Sequence, residues 1–197
     1  MKKDIILAGV GGQGILTIAS VIGLAAIEVG LFLKQAEVHG MSQRGGDVQS
    51  NLRLSDKEIA SDLIPFGQAD MIISVEPMES LRYLPMLSKE GWLITNTQTF
   101  INIPNYPAKE DIIAGIEKIK NHVALDAENI AKEIGSARAA NIVVLGAAAP
   151  FLDLDYNLLE NALNTLFGKK GEKVVGLNLA ALKAGHDFAM EKIEGRG

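Results

Sequence analysis

The sequence predicts an α/β fold of three layers, α/β/α, built on a Rossmann-like, mainly parallel sheet with an antiparallel or edge strand and a group of C-terminal helices. Three observations predict it. Short apolar runs alternate with helical patterns from end to end, as in strands joined by crossover helices. A glycine-rich turn, GVGGQG at residues 9–14, lies directly between the first apolar run and the first helical one. One strand-like segment, VQSNLRL at residues 48–54, alternates apolar and polar residues and so predicts one wet face. At 197 residues, 48% of them hydrophobic, the chain is long and apolar enough for one domain, 1–197, with its own core.

The elements follow in order. Residues 4–8 (DIILA) form a short buried strand that runs into the glycines. Residues 15–29 form a helix whose circumference is nearly all apolar, with Thr17, Ser20 and Glu28 as its polar residues. Such a helix is buried on all sides, so its outer face needs a cover from the C-terminal helices or from another chain. A second strand spans residues 31–38, and the alternating segment 48–54 is a third. Residues 71–75 (MIISV) form a further buried strand. Pro77, tolerated in a first turn, opens a helix through about Leu87. Gly91 introduces a strand at residues 92–96, and residues 97–107, with Pro104 and Pro107, make an irregular connector. Residues 108–120 form an amphipathic helix with Ile112, Ile113, Ile116 and Ile119 on one side. A short strand at 123–126 precedes helices at 127–134, 138–149 and 156–167, divided by Gly135 and Pro150, and a last helix at 175–193.

Charge and composition remove several function classes. Acidic residues outnumber basic ones, 24 against 19, and the net charge is -5, so neither nucleic acid nor a membrane surface is an expected partner. Residues 14–33 have the length of a membrane span, but Glu28 and Gly30 interrupt them and divide the run into helix and strand. Lys2 and Lys3 are followed at once by Asp4, unlike a secretory leader, so a cytoplasmic location is expected. The chain has no cysteine, which excludes disulfides, thiol nucleophiles and thiolate ligation of zinc or an iron–sulfur cluster within it. His122 and His186 have no partner at metal-ligand spacing, and no metal site is expected. Asp126 is placed to cap the helix after it, and Glu76 and Glu79 to complement a helix dipole or form a carboxylate pair.

Two segments carry the candidate chemistry. Gly9, Gly11 and Gly14, with Gly12 and Gln13 between them, match G-x-G-x-x-G in the strand–turn–helix context that a dinucleotide fingerprint requires. Glycines there permit a tight turn, and the amides of the helix N-terminus favour an anion. Glu37 stands where such proteins carry the acid that meets a ribose hydroxyl. A ligand-free packing turn explains the same residues. The second segment, EVHGMSQRGG at residues 37–46, lies at a strand end, where open α/β sheets place their sites. It gathers Glu37, His39, Ser42, Gln43 and Arg44 beside Gly45 and Gly46. Arg44 suits a carboxylate and His39 titrates near neutrality. An active-site or partner-facing loop and an exposed polar loop are both open readings.

GVGGQGI at residues 9–15, EVHGMSQRGGDVQSNLRL at 37–54, IPFGQADMIISVEPMESLRYLPML at 64–87 and GSARAANIVVLGA at 135–147 resemble the gamma-type domain of 2-oxoacid:ferredoxin oxidoreductases. HGMSQRGG most resembles the indolepyruvate branch of that family. The resemblance implies a small subunit, inactive alone, of an enzyme that oxidatively decarboxylates an aryl-2-oxoacid to its acyl-CoA and passes electrons to ferredoxin. It implies a larger partner subunit holding thiamine diphosphate and iron–sulfur clusters, with coenzyme A as co-substrate. It carries no catalytic residue over to this chain. A self-sufficient NAD-binding dehydrogenase or nucleotide-binding protein is the alternative that the fingerprint alone leaves open. The first helix predicts self-association when the chain is made without its partner.

Overall fold

A computed structural model of the chain describes residues 1–40 and 45–195, with His39 by its backbone alone. Six strands form one sheet: β1 (Lys2–Val10), β2 (Phe32–His39), β3 (Asp47–Ser55), β4 (Ala69–Ser74), β5 (Leu87–Asn96) and β6 (His122–Leu125), in the order β2-β3-β1-β4-β5-β6. β1, β4, β5 and β6 run parallel, whereas β3 is antiparallel to both β1 and β2. The alternation of residues 48–54 therefore marks an antiparallel strand, as expected, but an interior one. The edge is β2.

Side chains of successive residues point to opposite faces, so β1 feeds two cores. Ile5 and Leu7 join one side, with Met71, Ile73, Ile94 and Val123. Ile6 joins the other, with Ile72 and Leu93. The first core is covered by α1 (Ile15–Glu28), α4 (Ala127–Glu133), α5 (Ala140–Ala148), α6 (Tyr156–Phe167) and α7 (Glu172–Glu194), and the second by α2 (Pro77–Arg82) and α3 (Lys109–Glu117). The three-layer expectation holds.

The cover that α1 needs is internal. α6 packs along it, and Asn161 Nδ2 donates to Glu28 Oε1 at 3.1 Å. Leu16 and Ile27 stay exposed, but the helix buries Ile15, Ile18, Val21 and Ile22 within its own chain. Most of the apolar surface of the helix is thus covered internally, and Leu16 and Ile27 are what it leaves open to another surface.

The second helix is shorter than expected. It ends at Arg82, Pro85 falls in a 3-10 turn, and β5 already begins at Leu87. The pairing of β4 and β5 slips between Ala69 and Met71, and a methyl at Gly91 would stand 2.9 Å from the Ala69 carbonyl oxygen. Residues 87–90 thus extend the strand across an irregularity that no local pattern marks. Among the described residues, no helix is long and apolar enough to cross a membrane.

Candidate functional site

The parallel strands deliver their C-terminal ends to one edge, and the glycine turn starts there. Two of its glycines answer to packing. A methyl at Gly9 would lie 2.5 Å from Val75 Cγ2, and one at Gly14 would lie 2.5 Å from Asn141 Nδ2. That amide instead donates to the Gly14 carbonyl at 3.1 Å and ties α5 to the start of α1. Gly12 has open space around it but a φ of 98°, a left-handed backbone that glycine adopts without strain. Gln13 closes the turn on itself: its Oε1 accepts the Val10 N–H at 2.8 Å, and its own N–H donates to the Val10 carbonyl at 3.2 Å. Gly14 is the N-cap of α1, no side chain caps it, and the first turn carries no acid. The positive end of this helix is therefore not neutralised locally.

A cavity of about 800 Å³ opens beside this turn. Gly12–Gly14 and Thr17 form one wall, Val75 and Asn96 stand at the strand ends, and α5 and α7 close it with Asn141, Val144, Leu177 and Asn178. Asn96 is buried and fixes the strand ends, donating to the Val75 carbonyl at 3.3 Å and accepting the Ala127 N–H at 3.1 Å. Two exposed cations border the cavity, Arg138 and Lys170, against one acid, Glu128, among the described lining residues. The Lys170 ammonium sits 5.0 Å above the Phe167 ring. An amide-rich turn, a helix N-terminus and two cations around one cavity are suited to an anionic ligand. Arg138 and Lys170 were not among the sequence candidates. The break at Gly135 and Ser136, which sets Arg138 in a short 3-10 turn ahead of α5, was the available signal.

On the other face of the same edge lies a buried acidic group. Glu76 is 0% exposed and Glu79 is 1% exposed. Glu76 caps α2 by accepting the Glu79 N–H at 2.9 Å, and its other oxygen accepts the Phe100 N–H at 3.2 Å and the Tyr106 hydroxyl. Glu79 accepts from Arg82 Nε at 2.7 Å. Burial pushes the Glu79 carboxyl up despite Arg82, and Glu76 and Asp47 add to the rise. Burial, with Asp47 beside it, pushes Tyr83 up to about 12, and its hydroxyl donates to Asp47 Oδ2 at 3.2 Å. Burial and Glu76 raise the Tyr106 hydroxyl as well.

The loop of residues 37–46 is in part brought to this edge. Gly46 accepts the Gly11 N–H at 2.9 Å, and Gly45 accepts from Asn102 Nδ2 at 2.7 Å. Met41, Ser42, Gln43 and Arg44 lie outside the described residues, as does the side chain of His39. Glu37 pairs across β2–β3 with Ser50, and β3 stands between that strand and β1. The acid is thus two strands, roughly 10 Å, from the turn it would serve in a dinucleotide site. Asp126 caps α4 as expected, accepting the Asn129 N–H at 2.9 Å. His186 packs edge-on against Tyr156, and a ring nitrogen of His122 lies 2.6 Å from the Ile119 carbonyl oxygen. Among the described residues no cluster of three or more histidines and acids is arranged to hold a metal ion.

Comparison with known proteins gives these features a family. The chain is 37% identical over 197 residues to indolepyruvate oxidoreductase subunit IorB of Archaeoglobus fulgidus, covering 96% of each chain. Its fold is similar to the gamma subunit of a keto/oxoacid ferredoxin oxidoreductase from Geobacter sulfurreducens, with a TM-score of 0.71, 26% identity, and 96% and 99% of the two chains covered. It is also similar in fold to the 2-oxoglutarate:ferredoxin oxidoreductase of Magnetococcus marinus, solved with 2-oxoglutarate, coenzyme A and succinyl-CoA bound, at a TM-score of 0.76 and 23% identity. There the match covers 96% of this chain but 31% of the solved one, so the chain spans about a third of that chain's length. The family model for pyruvate ferredoxin/flavodoxin oxidoreductases matches residues 4–188, nearly the whole sheet and its helices. The chain belongs to the pyruvate ferredoxin/flavodoxin oxidoreductase family.

Proposed function

We propose that the chain is the small subunit of an aryl-2-oxoacid:ferredoxin oxidoreductase, with indolepyruvate the leading substrate, and that it works only with a larger subunit. The full-length likeness to an indolepyruvate oxidoreductase subunit supports the substrate class. Thiamine diphosphate and iron–sulfur clusters belong to the partner in this reading. The sequence has no cysteine, so its residues do not fit a thiolate-held iron–sulfur cluster. No redox step is assigned to this chain, and ferredoxin meets the complex through the partner.

The chain's own contribution is a site for the phosphorylated co-substrate, coenzyme A, and for the partner surface. The cavity carries this reading, because the uncapped start of α1, Arg138 and Lys170 surround it without a matching set of acids. Coenzyme A offers phosphates to that surface and an adenine to the apolar walls. Residues 37–46, which reach the same edge through Gly45 and Gly46, form the face turned to the partner, with Glu37, His39, Ser42, Gln43 and Arg44 as its polar groups.

The test is reconstitution. The chain is purified with a candidate larger subunit, and viologen or ferredoxin reduction is followed with indolepyruvate and coenzyme A. The expected result is no turnover by the small chain alone and turnover by the pair. Arg138→Ala raises the KM for coenzyme A about tenfold, equivalent to the roughly 1.5 kcal/mol of one charge-assisted hydrogen bond. Turnover by the chain alone, or micromolar NAD binding that Gly11→Ala abolishes, overturns the subunit reading in favour of a dehydrogenase.

A further inference from the structure

The connector between β5 and α3 is irregular, carries two prolines and leaves Ile101 74% exposed, yet a fully buried carboxylate is committed to it. Burying a carboxylate is unfavourable unless hydrogen bonds compensate. Glu76 meets that condition by taking donors from both ends of the connector, the Phe100 N–H at 3.2 Å and the Tyr106 hydroxyl, while its other oxygen caps α2. Between those two points the connector turns Asn102 toward the glycine loop, and Asn102 Nδ2 donates to the Gly45 carbonyl at 2.7 Å. On the other side, the Gly46 carbonyl takes the Gly11 N–H at 2.9 Å. The mouth of the loop is closed by the Gly40 N–H on the Asp47 carbonyl at 2.9 Å, and the Asp47 carboxylate accepts the Tyr83 hydroxyl. The exit of the loop is therefore clamped between the anion-favouring turn and the connector.

We infer that Asn102 is a positioning residue: anchored through Glu76, it sets the glycine turn and the exit of the 40–46 loop in the register that serves coenzyme A. The connector makes this contact with a side-chain amide, so its effect depends on one donor. A link whose task was only to join β5 to α3 has no use for that donor, or for a buried acid bracing the chain on either side of it. Asn102 Oδ1 is buried and has no hydrogen-bond partner among the described residues, so the amide is not held by a wider local network. The fold of the sheet does not pass through Asn102; the ladders of β1, β3 and β2 are complete without it.

The inference rests on the coenzyme A reading above, and the experiment separates the two. Asn102→Asp keeps the size of the side chain and exchanges its donor for an acceptor that faces a carbonyl oxygen; Asn102→Ala removes both. Amide hydrogen exchange is measured by NMR on the full chain, and steady-state kinetics on the reconstituted complex. The expected result for both variants is about tenfold faster exchange of the Gly11 and Gly40 amides with the β1–β3 ladder unchanged. In the complex, the KM for coenzyme A rises about tenfold while kcat stays within about twofold. Unchanged exchange at Gly11 and Gly40 overturns the inference. So does faster exchange with an unchanged KM when Arg138→Ala still raises that KM, because Asn102 is then merely structural. If neither Arg138→Ala nor the Asn102 variants move the KM, the coenzyme A reading itself falls and takes the inference with it.

Discussion

Gly146→Ala puts a single methyl where α5 crosses α7, and its effect can be worked from the structure. The new carbon would stand 2.0 Å from the Leu182 carbonyl oxygen, 2.9 Å from its carbon and 3.0 Å from the His186 nitrogen. These are backbone atoms of a facing helix and cannot rotate aside. Relief requires the helices to part by more than about 1 Å, a gap that forfeits roughly a quarter to a half of each dispersion contact across the crossing. Val143, Ala147, Ala181 and Leu182 are all buried there. An overpacked methyl costs about 1–3 kcal/mol, occasionally more, and this one falls at or above the top of that range because no side chain can yield. Alanine recovers about 1 kcal/mol of helix propensity over glycine. The expected net loss is about 2–3 kcal/mol, or roughly 4–12 °C in Tm for a chain of this size. Gly176→Ala supplies the control: it lies in α7, the facing helix, with nothing within 4 Å of the added carbon, and is expected to stabilise by up to about 1 kcal/mol. Because α5 and α7 also wall the cavity, Gly146→Ala is expected to weaken coenzyme A binding in the complex. Urea denaturation of both variants checks the stability part. A loss below about 1 kcal/mol for Gly146→Ala, or the same sign for both variants, refutes the reasoning.

Two further outcomes follow from charges buried on the other face. Arg53 Nε lies 2.7 Å from Asp4, which is 1% exposed, and the same guanidinium donates to the Ser61 and Leu63 carbonyls. Arg53→Ala strands Asp4 with Lys2 alone and is expected to cost about 3 kcal/mol, the low end for breaking a buried pair. It also releases residues 61–63 to limited proteolysis; unchanged stability and an unchanged digestion pattern would count against the pairing. The Glu79 carboxyl is raised in the folded chain, so folding favours its protonated form. Its contribution is greatest at pH values below its unfolded pKa, about 4.3, and declines as pH rises from there through the raised value. The destabilisation caused by Glu79→Gln is therefore expected to shrink between about pH 4.5 and 7. A destabilisation that grows over that range would mean that Arg82 outweighs burial.

How much of this was legible in the sequence depends on whether the cause was local. The glycine turn, the parallel strands and Asp126 as a helix cap follow from residues a few positions apart, and the structure has them where the patterns place them. β3 was half legible. Its alternation marked an antiparallel strand, but Asn51, on the polar face, is buried, and Ile64 donates its N–H to Asn51 Oδ1 at 3.1 Å. The polar face is only part wet, because residues 61–64 fold back over Asn51 and Arg53, a long-range event that no period records. Glu76 and Glu79 read as acids that complement a helix dipole or form a carboxylate pair; the burial of Glu76 is joined to the connector at residues 97–107, which supplies two of its donors from far along the chain. The cavity was not legible, since the turn, α5 and α7 are distant in sequence and meet only after the sheet is built.

The arrangement of charge at the carboxyl edge also decides between ligands. The chain is acidic overall, yet its acids on the α2 side are taken up internally: Glu76 by three donors, Glu79 by Arg82, and Asp47 by the Tyr83 hydroxyl. A carboxylate satisfied in this way has little left to offer a ligand. Arg138 and Lys170, on the α7 side, are exposed and border open space. The glycine turn lies between the two groups, so an anion arriving at the turn is drawn to the α7 side. A nicotinamide dinucleotide needs more than that. It needs a free acid for the adenosine ribose at the end of the strand next to β1. The acids that β3 and β4 bring to this edge, Asp47 and Glu76, are already taken by internal donors, and Glu37 lies one strand further out. The glycine spacing thus stands here without the free ribose-binding acid of a dinucleotide site, and sheet order together with the internal use of these acids is the physical reason.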